Sequence, residues 1–133
     1  MVDFTGLIKN SIVGMNDGYN QVKTDLTTII SDFNNSVQQI TGSKVGIRVI
    51  ENFKTNEASI FSVVIIHGGD SSTSIGAFRV FRRGYPVLYS KMAAPFIPSG
   101  EFKSKEDIEA HFAAIAADRE SPVVQAVALA LRK

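Results

Sequence analysis

No cysteine occurs among the 133 residues, which removes disulfides, thiolate nucleophiles and cysteine-ligated zinc from consideration. Histidine is nearly as scarce. His67 and His111 are the two imidazoles, and a metal centre needs three or four converging ligands, so neither a metal nor another cofactor is expected. No apolar run approaches the roughly 20 residues that span a bilayer. Met1 to Gly14 show no basic leader, uninterrupted apolar stretch or small-residue cleavage site, so the expectation is a cytoplasmic protein without membrane association. A large charge of one sign is missing too. The formal net charge is +1, whereas binding to nucleic acid relies on several Lys and Arg side chains neutralising phosphates, so nucleic acid is not expected as a partner.

The composition that is present, 44% hydrophobic and 20% charged, is that of a globular chain and too apolar for disorder. A chain of this length buries roughly two thirds of its unfolded surface around one core, so a single domain over residues 1–133 is expected. The charge is unevenly spread: residues 1–40 carry −2, residues 41–100 carry +4, and residues 101–133 carry −1.

Phe4, Ile8, Ile12, Met15, Tyr19, Val22, Leu26, Ile29, Phe33, Val37 and Ile40 recur every three or four residues, the apolar stripe of a helix. From Ile12 to Phe33 the steps alternate three and four, as in a helix that lies in a groove or meets a second copy of itself. The flanks are mostly Asn, Gln, Ser and Thr instead of the charges of a coiled coil. Gly14 and Gly18 are poor helix residues and predict a bend or break, with the apolar register continuing across it. Gly42 predicts the helix end.

The period then switches to two. Val45, Ile47, Val49 and Phe53 form the inward set of a first strand. Ser59 to His67 is apolar on both faces and predicts a central strand with a second layer over its far side, supplied by a helix or another subunit. Ser74 to Arg83 and Pro86 to Met92 complete a four-stranded antiparallel meander, Pro86 marking the last strand as an edge. Ala93 to Glu101 reads as irregular, with Phe96 and Ile97 pinning it to the core. Ser104 with Asp107 resembles a capping box, and Ser121-Pro122 is a cap followed by proline at the first helical position. Two C-terminal helices are predicted, the second closing on Arg132 and Lys133. The fold expected is α+β: a long N-terminal helix, the meander, and two C-terminal helices packed on it.

Two stretches carry candidate chemistry. The loop His67-Gly68-Gly69-Asp70-Ser71-Ser72-Thr73 has glycines that let backbone N–H groups face an anion and hydroxyls that add donors. It lacks the Lys, the glycine spacing and the following helix of a phosphate loop, and it equally suits a hairpin turn. His67, Asp70 and Ser71 share the letters of a catalytic triad, but neighbours on one loop rarely reach the required alignment. The second stretch is the basic strand content. Arg48 is predicted outward, and if it shares a face with Arg79 and Lys91, with Tyr85 and Tyr89 nearby, the three make a cationic patch for a phosphate, a carboxylate or single-stranded nucleic acid. The ligand-binding candidates are thus Arg48, Arg79, Lys91, His67, Gly68, Gly69 and Ser71, set against a plainly solvated sheet face. No catalytic residue is nominated.

The function expected is a non-catalytic protein-interaction or assembly module that self-associates into a homo-oligomer or binds a protein partner. The alternative is a binder of a small anionic or nucleotide ligand at the basic sheet face and the 67–73 loop. An enzyme of unfamiliar type is the third class.

Overall fold

A computed structural model describes residues 2–14, 16–68 and 71–132. The helical stripe divides into α1, Phe4–Gly14, and α2, Asp17–Thr41. Met15, one residue of that stripe, lies outside the described residues. In α2 the predicted spacing does what it should: Tyr19, Val22, Leu26, Ile29 and Val37 are all buried. The helix ends where glycine permits a left-handed turn, at Gly42 with φ 63°. Just before it, the Thr41 hydroxyl donates to the Val37 carbonyl at 2.9 Å and accepts from the Val45 N–H at 3.2 Å, joining helix end to strand start.

The sheet has five strands in chain order among the described residues, each antiparallel to its neighbour: β1 Val45–Asn52, β2 Ala58–His67, β3 Ser71–Phe81, β4 Gly84–Ser90 and β5 Gly100–Phe102. One face, carrying Val45, Ile47, Phe61, Val63, Ile65, Phe78, Val80 and Val87, meets α2 and the C-terminal helices α3, Lys105–Ala117, and α4, Pro122–Leu131. Ile108 and Phe112 of α3 and Val123 of α4 complete that core. Burying each such side chain contributes about 1.5–3 kcal/mol. Both predicted caps form: Ser104 Oγ accepts from the Asp107 N–H and Ser121 Oγ from the Val124 N–H, each at 3.3 Å. Asp107 Oδ2 in turn accepts from the Lys103 N–H at 2.9 Å.

The expected α+β architecture is the observed one, with corrections. The meander has a fifth strand, because Gly100–Phe102, which begins inside the stretch read as irregular and runs one residue past it, pairs with β4. Consequently β4 is interior despite Pro86, and β1 and β5 are the edges. β3 begins at Ser71, not Ser74, and Val63 pairs with Gly76 while Val64 pairs with Ser74, so Ile75 is the extra residue of a bulge. Phe53 does not continue the inward set: it has left-handed φ of 46° and is exposed. Among the described residues no helix covers the far side of the sheet. The loop after β4 covers part of it, with Ser90 Oγ donating to the Met92 carbonyl at 2.7 Å and accepting from the Ile97 N–H at 3.1 Å. Ala77 and Ser90 beneath that loop are fully buried.

Gly18 explains itself through packing. A Cβ there would collide with the backbone carbonyl of Arg83, and one on Gly84, itself at φ +96°, would stand 2.9 Å from the Gly18 Cα. The start of α2 thus rests backbone to backbone on the β3–β4 turn, with the Tyr19 N–H donating to the Arg82 carbonyl at 3.2 Å. The Arg82 guanidinium lies 4.2 Å over the Tyr19 ring and donates to the Thr55 carbonyl and Ser59 Oγ, clasping helix, turn and strand.

Candidate functional site

α1 is short of partners. Phe4, Leu7, Ile8 and Ile12 are each 57–69% exposed, and of the α1 residues whose exposure is described Gly6 alone is even partly covered. Asp3 caps its start, Oδ1 accepting from the Gly6 N–H at 3.0 Å. The stripe that seals the core in α2 therefore continues along α1 with nothing over it. An apolar face of four large side chains in water is a costly arrangement for a helix of 11 residues, which is marginal by itself.

A second apolar feature lies among the other helices. Between α2, α3 and α4 runs a groove of about 530 Å³ floored by Phe33, Val37, Phe112, Val123 and Val127. It exists because α3 turns Ala113 and Ala116 toward it, side chains too small to close the gap, while Ile40 on its rim is 57% exposed. Asp32 and Glu109 also line it, and among the described residues no cation does.

The polar candidates separate into two places. Arg48 pairs with Val64 and Arg79 with Ile60, so both lie on the far sheet face, yet two strands and four residues apart, on the order of 15 Å. Arg79 lies 4.4 Å over the Phe96 ring, and Lys91 is exposed just beyond β4. Arg48 instead borders a polar hollow of about 280 Å³ with Lys44, His67, Gly68, Asn34 and Gln38. Ser71 faces His67 across the β2–β3 hairpin, and His67 Nε2 stands 3.3 Å from Thr73 Oγ1. Gly69 and Asp70 lie outside the described residues, so the triad letters have no geometry to weigh.

Asp25, Tyr85 and His111 are structural; the sequence points to His111 as a partly buried helix histidine and gives no sign of Asp25. Asp25 is buried on α2, accepting from Gln21 Nε2 and Tyr85 Oη at 2.8 Å each. Burial and that hydrogen bond push the Tyr85 hydroxyl well above the usual phenol range. His111 is half-buried in a ring of Phe78, Tyr89, Phe102 and Phe112, with centroids 4.5–6.0 Å away, and burial lowers its pKa. The groove was also missed. Its one sequence signal is that α4, with Val123, Val124, Val127, Leu129 and Leu131, is apolar around more of its circumference than one buried face requires. No helix among the described residues is long and apolar enough to cross a membrane. Comparison of the chain with protein-family models, curated proteins and solved structures finds no match, so a functional reading rests on these residues themselves.

Proposed function

We propose that this chain is a non-catalytic interaction or assembly module that associates with copies of itself. The observation that carries the reading is the uncovered apolar row of α1, which gains about 1.5–3 kcal/mol for each side chain it can bury. The cysteine-free composition suits the reducing cytoplasm, the setting we propose for it. Sedimentation velocity over a dilution series tests the reading: a concentration-dependent oligomer is expected, reverting to one chain in Ile8→Asp without loss of helicity. A monomer at every concentration overturns it. Ile8 is the informative position because it is exposed, whereas Leu26, of the same stripe, is 1% exposed and a charge there would unfold the core.

A second reading, a small anionic ligand, is favoured by the way Lys44, Arg48 and His67 border one polar hollow. Thermal-shift measurement with inorganic phosphate and nucleotides tests it. Stabilisation that disappears in Arg48→Ala supports the reading, and no shift with any of them ends it.

A further inference from the structure

We propose that the groove between α2, α3 and α4 receives α1 of a second copy of this chain, and that the exchange is reciprocal. The inference rests on the self-association reading and names the surface that answers α1.

Reach is the first argument. α1 has 11 residues, about 17 Å of helix at 1.5 Å per residue. Folded back along its own α2 from the link at residues 15 and 16, it ends near the level of Ile29. The groove runs along α2 from Ile29 through Phe33 and Val37 to Ile40, about 18–35 Å from Asp17. A chain's own α1 thus reaches only the Ile29 end of its own groove, and that of a second copy has no such tether.

Chemistry is the second. The α1 row of Phe4, Leu7, Ile8 and Ile12 repeats at the three- and four-residue spacing of a helix seated in a groove. The groove is apolar, open along its length, and wide where Ala113 and Ala116 leave room for large side chains. Charge agrees with shape. α1 carries one charged side chain, Lys9, after the Asp3 that caps it, while the groove carries Asp32 and Glu109 and, among the described residues, no base. Opposite charges would attract at the rim, and like charges placed there would repel. Two such dockings related by a twofold axis would make a closed, isologous dimer.

The absence of cysteine makes the test direct. Two single-cysteine variants of the full chain, Ile8→Cys and Ala113→Cys, both at exposed positions, are mixed and oxidised. Any mixed disulfide joins two chains, running at twice the 14.4 kDa of one. The expected result is a mixed cross-link that a control mixture of Ile8→Cys with Lys54→Cys fails to form. In a second measurement, Lys9→Glu should weaken association, and Glu109→Lys added to it should restore it. An oligomer that forms no Ile8–Ala113 cross-link, or whose Lys9→Glu defect Glu109→Lys leaves uncorrected, overturns the groove assignment and leaves the self-association reading standing. A monomer at all concentrations overturns both.

Discussion

Replacing Gly18 by alanine should destabilise this protein, although alanine is the better helix former. Helix propensity alone favours the substitution by up to about 1 kcal/mol. Against that, the new Cβ meets the Arg83 carbonyl group and the Gly84 nitrogen, backbone atoms that no rotamer change can move aside. α2 must then withdraw from the β3–β4 turn. Overpacking of this kind costs about 1–3 kcal/mol. The withdrawal also stretches the 3.2 Å Tyr19-to-Arg82 hydrogen bond and the 4.2 Å contact of Arg82 with the Tyr19 ring, each contributing about 1 kcal/mol or less. The net loss expected is about 2 kcal/mol, a fall of roughly 6–10 °C in Tm for a domain of this size. Thermal unfolding followed by circular dichroism measures it. Gly14→Ala is the control, since a Cβ there finds only Asp17 Oδ2 at 3.9 Å and should leave Tm unchanged or slightly raised. A Gly18→Ala protein that melts at or above the wild type would refute the backbone-to-backbone contact.

Two further substitutions probe the buried polar groups. Tyr85→Phe takes away one of the two donors that satisfy the buried Asp25 carboxylate, and should lower stability by about 1–3 kcal/mol; urea unfolding should show a lower midpoint at unchanged slope. His111 predicts a pH dependence. Because burial lowers its folded pKa, the unfolded chain binds the proton more readily, so stability is complete above pH of about 6.5 and declines as pH falls below it. His111→Phe should flatten that decline below pH of about 6.5, and an equally steep decline in the variant would show that other groups cause it.

How much of this could be read beforehand follows from the range of the interactions. Local signals were legible: the left-handed turn at Gly42, the serine caps at Ser104 and Ser121, and the alternation that turns Val45 and Ile47 inward. β2 was recognisable as central because both its faces are apolar. β5 was not, since three residues are too few to display a period and its pairing is set by the Tyr89 backbone and the Phe102 ring settling beside Phe78. The Ile75 bulge shifts parity without leaving a mark in composition. Site residues depended on register and so were the least legible. Arg48 and Arg79 share a sheet face as alternation allows, but no local rule says that Phe96 lies beneath one guanidinium while Lys44 and His67 gather beside the other. The stripe of residues 4–40 hid the largest difference, because identical spacing produced a buried helix in α2 and an uncovered one in α1. Spacing specifies an apolar face; it does not say which molecule covers it.

The account turns on whether α1 becomes covered when chains meet, and amide hydrogen exchange of residues 4–14 at low and high protein concentration measures that directly. A lone helix of this length opens readily, so exchange should be fast in dilute solution and slow markedly as concentration rises, while the interior of α2 stays protected throughout. Equally fast exchange of α1 at every concentration would contradict the account.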